Sequence, residues 1–437
     1  MISKEERQVI RELALRLRDL SQMPIMAQRK KDWIAHNDLK STKPMIMVSP
    51  EGAWREIIPP DVLLCDDEHA REMEWKLRAR LFRAEQINDD APVENIWETL
   101  KIITDSGWTE RKAGELNNPV ANANQIDPTI GWVPLIWRKD FSFNERAEPF
   151  HPVIEEYSDL KKIHAPEVFY DEKTTLERYA VEQDILGDIM DVRLVGKKYI
   201  IFNMMEMYTA LRGLEEVMYD LDEEPEMTHE AMDIFEDGFR NVIRQYQEMN
   251  LLSLNADHSY TGTGGFGYTD QLPHENADPN DLKNLWACSE NQEFTSVSPQ
   301  MTEEFVTWHE RRLLEPFGLT CFGCCEAIEN KIEDGMKVHN MRRISVSPWS
   351  NIEVCAEKLQ NRRAIYSWKP NPALFVHSFS EEGMADLVRR VLRATGEYDC
   401  CPELILKDTH TCQNHPERYR IWTDLVRRVI KEERGIE

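Results

Sequence analysis

The chain has 437 residues, of which 41% are hydrophobic and 30% are charged, a profile typical of a globular enzyme. Its formal net charge of -26 argues against a nucleic-acid partner, because contacts with phosphate need a basic face. No run of eighteen apolar residues is present, so no membrane span is expected. The first residues lack the apolar core of a signal peptide, and we expect a cytoplasmic protein whose nine cysteines form no disulfides.

The first 150 residues give three signals. Residues 3–40 are predicted to be helical, because apolar residues recur at helical spacing from Val9 to Leu17. A short strand is predicted at Met45–Val48, and a charged amphipathic helix at Glu68–Glu85. Residues 105–150 have no periodic pattern, which predicts either a functional loop or a surface excursion held by tryptophans.

From residue 175 onwards, short apolar runs alternate with helical segments. This alternation predicts parallel βαβ units. Eight such strands predict an α/β fold of the (β/α)8 TIM-barrel type, with a helical extension at 1–40, a single barrel domain at 41–437 and a long inserted loop region. The eight predicted strands begin at Met45, Asp191, Leu251, Leu282, Leu319, Ile344, Ala364 and Glu403.

Polar residues follow nearly every predicted strand, where a barrel carries its active site. Each of them alone could be an ordinary loop or packing residue, and the joint pattern is what favours a site. The catalytic candidates are Asp257, Glu290, Glu326, Lys369 and Asp408. The candidates for substrate binding are Trp54, Arg55, Asn255, Tyr260, Trp349 and Trp368. The tryptophans would line an aromatic pocket or serve barrel packing.

Thiols are concentrated at the end of the strand that begins at Leu319. A catalytic zinc ion takes thiolate, imidazole and carboxylate ligands, which Cys324, Glu290 and His410 could supply from three strands. Cys321 is predicted to be a core thiol, since free cysteines are often buried. Cys400–Cys401 precedes the last predicted strand, so we expect it at the opposite end of the barrel in a structural role.

The stretch Gly262–Gly267 fits the pattern G-x-G-x-x-G. A dinucleotide site needs these glycines to open a helix, whereas Tyr268–Pro273 has the composition of a loop. We therefore expect close backbone approach to a substrate, or a mobile lid.

Seven stretches carry a resemblance to a known family. They resemble the uroporphyrinogen decarboxylase superfamily, in particular its corrinoid-dependent methyltransferase branch of the O-demethylase type in anaerobes. The likeness runs from residue 45 to the C-terminus. The stretches are Glu51–Glu56, Leu254–Asp257, Gly264–Thr269, Phe322–Glu326, Val346–Trp349, Lys369–Ala373 and Lys407–Thr411.

The resemblance implies a TIM barrel whose zinc-dependent members bind the metal through His-x-Cys and a later cysteine. Cys324 matches the first cysteine, but Phe322 stands in the histidine position and residues 368–372 contain no cysteine. The implied zinc site is therefore altered or absent. Ser49–Gly52 replaces the arginine-rich motif of the decarboxylases, which argues against porphyrinogen decarboxylation.

The function that follows is methyl transfer from a small donor, an aryl methyl ether or another O- or N-methyl compound, to the cobalt of a corrinoid. His410 lies in no corrinoid-ligand motif, so the corrinoid should arrive on a separate protein. Zinc, or Glu290 or Asp257 held protonated in a dry pocket, would activate the leaving group. The alternatives are a decarboxylase-like lyase without corrinoid and a non-catalytic binding protein. The resemblance also implies pairing into a homodimer.

Overall fold

The structure, a computed structural model, describes residues 2–110, 126–127, 131–132, 150–377 and 379–436. Most of the irregular segment predicted as a functional loop or surface excursion lies outside these residues. The strands, numbered in chain order, are β1 (Met45–Val48), β2 (Ile96–Leu100), β3 (Ile103–Asp105), β4 (Ile126–Asp127), β5 (Gly131–Trp132), β6 (Val168–Tyr170), β7 (Asp191–Val195), β8 (Ile201–Phe202), β9 (Trp286–Ser289), β10 (Leu319–Phe322), β11 (Met341–Val346), β12 (Ile365–Trp368) and β13 (Cys401–Leu406).

Seven parallel strands form the central sheet, in the order β1-β13-β12-β11-β10-β9-β8. Helices join successive strands, as parallel pairing requires. The α-helices are Lys4–Ser21, Pro24–Asn37, Trp54–Ile57, Glu68–Phe82, Glu172–Leu186, Met204–Arg212, Leu214–Glu223, Pro225–Glu248, Pro299–Thr302, Trp308–Leu314, Ile332–Gly335, Ile352–Lys358, Pro372–Val376, Glu381–Glu397 and Glu417–Arg434. Within the described ranges, none of the helices is both long and apolar enough to cross a membrane.

The α/β class and the parallel sheet agree with the sequence prediction, and the predicted eight-stranded barrel is only partly shown. Among the described residues, no ladder joins β1 to a second neighbour. The carboxylate of Asp89 accepts the Val48 amide at 2.9 Å, and that of Asp90 accepts the Ile46 amide at 2.9 Å. These two side chains therefore accept the backbone hydrogen bonds of β1 that the carbonyls of a neighbouring strand would otherwise accept.

Two of the eight predicted strands are absent from this sheet. The predicted strand β7 exists but pairs with β2 in a separate two-stranded sheet. The predicted strand Leu251–Leu254 is wrong, because only an isolated bridge joins Leu252 to Lys197. The Asn255 side chain explains this: it accepts from the Trp286 amide and donates to the Trp286 and Lys198 carbonyls, which a strand backbone would otherwise pair.

The predicted N-terminal helix is two helices, since Pro24 starts a second one. Helix Pro24–Asn37 lies at the end of the sheet where the strands begin. The side-chain Nδ2 of Asn37 donates to the backbone carbonyls of Phe266 and Tyr268 at 2.7 Å each. Cys401, at the start of β13, contacts His36 with Sγ 3.2 Å from Nδ1. This is the structural position predicted for the Cys400–Cys401 pair.

Alternate side chains of β1 and β13 belong to two separate apolar clusters. Ile46 and Leu404 pack in the large outer core between the sheet and the helices. Met47 and Ile405 pack on the inner face with Tyr260 and Phe266. The inner face is therefore covered by the chain's own loop rather than by helices.

The glycine-rich stretch is that loop, and it is buried rather than exposed as a lid would be. The Gly262 amide donates to the Cys288 thiol at 2.9 Å, and the Thr263 hydroxyl lies 3.1 Å from that of Ser345. A Cβ on Gly264 would stand 2.7 Å from Ile405 Cγ2. The glycines here allow close packing against the inner face of the sheet.

We expect Gly264→Ala to destabilise the fold by about 2–5 kcal/mol, from overpacking against the stiff Ile405 and from backbone strain at φ +148°. Denaturant titration measures the change. Gly435→Ala is the matched control, because Gly435 also has a positive φ but has no atom within 4 Å of the added Cβ. Its cost should stay near ~1 kcal/mol. Equal losses in the two variants would contradict the packing role of Gly264.

Candidate active site

Titratable side chains converge where the central strands end. Glu290 directly follows β9, Lys369 follows β12 and Lys407 follows β13, and all three are buried. Cys324 lies two residues beyond β10. Three residues that were predicted because they follow strands, Glu290, Cys324 and Lys369, therefore lie at one end of the sheet.

The charge of Lys407 interacts with several titratable side chains at this end of the sheet. Burial alone would lower the pKa of its ammonium, but Cys324, Asp408, Tyr260 and Glu51 together raise the pKa well above its usual value. The Nζ atom lies 3.4 Å from Asp408 Oδ1. Lys407 thus stays positively charged and acts on all these neighbours.

Glu51 stands opposite Lys407, at the end of β1. Burial raises the pKa of its carboxyl to about 7, although Lys407 opposes the change. Its Oε2 accepts the Asp408 amide at 3.2 Å. Glu51 and Asp408 both hold left-handed backbone conformations, at φ 51° and 58°. Such strain costs about 1–3 kcal/mol per residue and concentrates at functional sites.

The two adjacent thiols of Cys324 and Cys325 lie close together, with their Sγ atoms 3.5 Å apart. The hydrogen bond between them raises the pKa of Cys324 well above its usual value and lowers the pKa of Cys325. Both are half-buried, whereas Cys321 is buried in the core as predicted. The strand ends at Phe322 and the chain turns at Gly323, with φ 90°, so strand alternation no longer separates the two thiols.

Lys369 is held by the inner face of β11 and β12. Its Nζ donates to the hydroxyls of Ser345 and Ser367 at 2.9 and 2.8 Å. Burial lowers the pKa of this ammonium to about 8. Lys369 can therefore give up its proton near neutral pH, whereas Lys407 does not.

Five glutamates act on one another through their charges, and we call them the carboxyl cluster: Glu206, Glu290, Glu293, Glu310 and Glu326. Of these, Glu290 acts on Cys324 and Glu326 acts on Cys325. Burial first, and then mutual repulsion, raises the pKa of Glu290 well above its usual value, that of Glu293 to about 7 and that of Glu310 to about 8. The ammonium of Lys331 faces the carboxyl cluster and donates to Asn291 and Phe294.

The predicted zinc ligands are not gathered into a metal site. Among the described residues, two groups have all their candidate ligand atoms within 4.8 Å of one another: Glu98, Asp257 and His258, and Asp233, Glu236 and His309. Cys324, Glu290 and His410 are not such a group, and His410 is exposed. The three residues therefore do not fit a preformed zinc site, and zinc binding by them stays a prediction.

Asp257 lies in an ion-pair network rather than in a dry acidic pocket. The Lys198 ammonium is 2.6 Å from its Oδ2 and 2.5 Å from Glu98 Oε1. Burial would raise the pKa of Asp257, but Lys198 and His258 hold it far below its usual value. The arrangement favours a permanently ionised structural carboxylate and not the predicted proton donor.

The predicted aromatic residues are spread through the fold. Trp54 packs edge-on against Trp75 in the outer core, with ring centroids 5.8 Å apart, and Trp368 is buried in the same core. Trp349 is 66% exposed. These three tryptophans therefore do not line a common pocket. Arg55 is half-buried in the short helix Trp54–Ile57.

Sequence reasoning found Tyr260 near Lys407 but missed several groups of the site. Lys407 was passed over for its neighbour Asp408, although Glu403, Ile405 and Lys407 share one side of β13 by simple alternation. Four further residues of the site follow predicted strands but are not among the candidates chosen from the sequence: Glu51, Glu293, Cys325 and Lys407. Glu206, Glu310 and Lys331 have no strand-end signal.

Comparison with known proteins adds little to this geometry. No protein-family model matches the chain, and no curated protein matches it. Among solved structures, the chain is similar to a methyltransferase from Methanosarcina mazei, with a TM-score of 0.47 and 11% sequence identity. The alignment covers 90% of this chain and 97% of the other. A likeness this remote carries no functional argument.

Proposed function

We propose that the chain is a methyltransferase that moves a methyl group from a small O- or N-methyl compound to the cobalt of a corrinoid held by a separate protein. The observation that carries the proposal is Glu290, a buried carboxyl group beside a thiol pair at the strand ends, whose pKa burial raises well above its usual value. The resemblance of the strand-end stretches to corrinoid-dependent methyltransferases supports it.

Removal of a methyl group from an ether oxygen needs an acid, because an unprotonated oxygen leaves poorly. A carboxyl group whose pKa is raised by burial is suited to this task. In the proposed reaction the carbon–oxygen bond breaks, its electron pair stays on oxygen, and Glu290 delivers its proton there. The methyl group passes to the reduced cobalt of the partner protein.

The buried ammonium of Lys407 supports the same reaction. A fixed positive charge in a site with little water stabilises negative charge that develops on a leaving atom. Lys407 also opposes the rise in pKa that burial causes at Glu51 and Tyr260, and the rise that the Cys325 hydrogen bond and burial cause at Cys324. Loss of this charge should therefore disturb every titratable group around it.

The test is methyl transfer to cob(I)alamin, both free and loaded on a corrinoid protein, with a panel of methyl ethers and methylamines. We expect loss of the Co(I) absorption and formation of methylcobalamin. Glu290→Gln should lower the rate with an ether donor about 10²–10⁴-fold, the usual contribution of a general acid. Glu315→Gln, at an exposed glutamate outside the site, is the control and should leave the rate unchanged. The absence of cobalt methylation with every donor would refute the proposal.

A further inference from the structure

Two consecutive lysines, Lys197 and Lys198, lie on opposite sides of one backbone segment. The Lys198 ammonium is 2.6 Å from Asp257 Oδ2, within the ion-pair network described above. Lys197 forms a parallel β-bridge, in which its amide donates to the Leu251 carbonyl at 2.6 Å and its carbonyl accepts the Ser253 amide at 3.1 Å. Successive side chains of an extended backbone point to opposite sides, so Lys197 faces away from that network.

A cavity of about 60 Å³ lies beside Lys197, between β8 and the helix Pro225–Glu248. At roughly 10–15 Å³ for each water-sized group, it has room for about four to six non-hydrogen atoms. Lys197 therefore lies at the wall of a small cavity that is mostly apolar. Its lining includes Ile201, Phe202, Phe239, Val242, Ile243 and Tyr246.

The amine of Lys197 is partly unprotonated at neutral pH. Burial lowers the pKa of its ammonium to about 8, although the charge of Asp105 opposes the change. The other titratable groups of the lining, Tyr199 and Tyr246, have pKa values raised by burial and stay uncharged. At pH 7 about one tenth of the Lys197 amine is therefore neutral, against about 10⁻³–10⁻⁴ of an ordinary lysine. The neutral amine carries the lone pair that attacks a carbonyl group.

From this geometry we infer that Lys197 and the cavity beside it bind a short aliphatic aldehyde, which the lysine holds as a Schiff base. The nitrogen lone pair attacks the carbonyl carbon, and a carbon–nitrogen double bond replaces the carbon–oxygen bond. The oxygen leaves as water with both hydrogens of the amine. The inference stands apart from the proposed methyl transfer, because it uses no residue of the candidate active site.

The apolar lining favours an aldehyde over a charged partner of the lysine. A carboxylate ligand, or a carbamate formed with carbon dioxide, would place a negative charge in the cavity, where burial of a charge is costly. An aldehyde brings no charge, and its hydrocarbon chain fills the apolar space. Phe202, Phe239 and Tyr246 are each at most 6% exposed, so they limit the water that would hydrolyse the imine. Lys197 itself is half-buried, which leaves a path for the aldehyde from solvent.

Reductive trapping with butanal, an aldehyde that fits this volume, tests the inference in the unaltered chain. With cyanoborohydride at pH 7, hydride adds to the imine carbon, a proton from water goes to nitrogen, and peptide mass spectrometry locates the butyl group. We expect labelling of Lys197 at least about tenfold faster than of Lys173, whose side chain is 85% exposed, because Lys197 has more neutral amine at this pH. This advantage should shrink above pH 10, where Lys173 also loses its proton.

A bulky aldehyde and a filled cavity separate binding in the cavity from general reactivity. 2-Naphthaldehyde is too large for the cavity, so it should label Lys197 no faster than Lys173. Val242→Phe should slow butanal labelling of Lys197 about tenfold, whereas Val62→Phe, at a valine that is 44% exposed, should not change it. Circular dichroism checks that both variants are folded. Equal labelling of the two lysines by butanal, or an equal preference of both aldehydes for Lys197, would overturn the inference.

Discussion

Replacement of Arg343 by methionine is expected to lower the free energy of unfolding by about 3–5 kcal/mol, because it leaves a buried carboxylate without its partner. Arg343 and Glu403 are both fully buried on the inner face of the sheet, with Nε 2.8 Å from Oε1. The Arg343 guanidinium also donates to the Thr261 hydroxyl at 2.6 Å and to Asn37 Oδ1 at 2.8 Å. One side chain thus joins two strands, the glycine-rich loop and the N-terminal extension.

His36 limits the loss of stability in the Arg343→Met variant. Its Nε2 lies 3.2 Å from Glu403 Oε2, and although burial opposes it, Cys401 and Glu403 raise the pKa of His36 to about 9. Because the pKa in the folded state lies above the ordinary value, this stabilisation is present below pH 6.5 and is lost as the pH rises through about 9. The cost of Arg343→Met should therefore be larger above pH 9 than at pH 6.

Denaturant titration of three variants measures the effect. Arg343→Met combined with Glu403→Leu should recover part of the stability, because the second substitution removes the unpaired charge. Arg363→Met is the surface control, since Arg363 and Glu333 form an ion pair with 40% and 54% of their side chains exposed. That loss should stay within about 1 kcal/mol. A similarly small loss for Arg343→Met would contradict its role in holding the inner face.

The sequence predicted those elements that local pattern determines. Met45–Val48 is an apolar run stopped by Ser49–Pro50, and the structure has a strand with the same bounds. Leu251–Leu254 has a comparable pattern but forms no strand. There the outcome depends on Asn255, whose side chain takes the hydrogen bonds of Trp286, a partner 31 residues away. Such competition between side chain and strand cannot be read from the run itself.

The same limit applies to the candidate site. Glu290 and Cys324 follow from the rule that parallel strands end together. Asp257 also follows a predicted strand, but its chemistry depends on Lys198, 59 residues earlier, which keeps the carboxylate ionised. The carboxyl cluster draws Glu310 from a helix, where no strand-end pattern identifies it. Burial and charge partners therefore decide which strand-end residues form the site.

Lys407→Met is expected to lower the turnover of the proposed methyl transfer about 10²–10³-fold while the protein stays folded, because it removes a fixed charge from the site. The lost charge has a second, spectroscopic consequence. Lys407 lowers the pKa of Cys325 and opposes the raised pKa of Cys324 and Glu51. The apparent pKa of the thiol pair, followed by thiolate absorption or by alkylation rate against pH, should therefore rise in the variant.

Lys407→Arg and Lys173→Met are the matched controls. Arginine keeps the positive charge, so the apparent pKa of the thiols should stay near that of the unaltered chain even if turnover falls. Lys173 is a surface lysine with 85% of its side chain exposed, and its replacement should alter neither quantity. A Lys407→Met protein with slow turnover but unchanged thiol titration would show that the charge of Lys407 does not reach the thiols. Full turnover in Lys407→Met would show that Lys407 is not part of the active site. A buried ammonium that stabilises the leaving group cannot be lost without an effect on the rate.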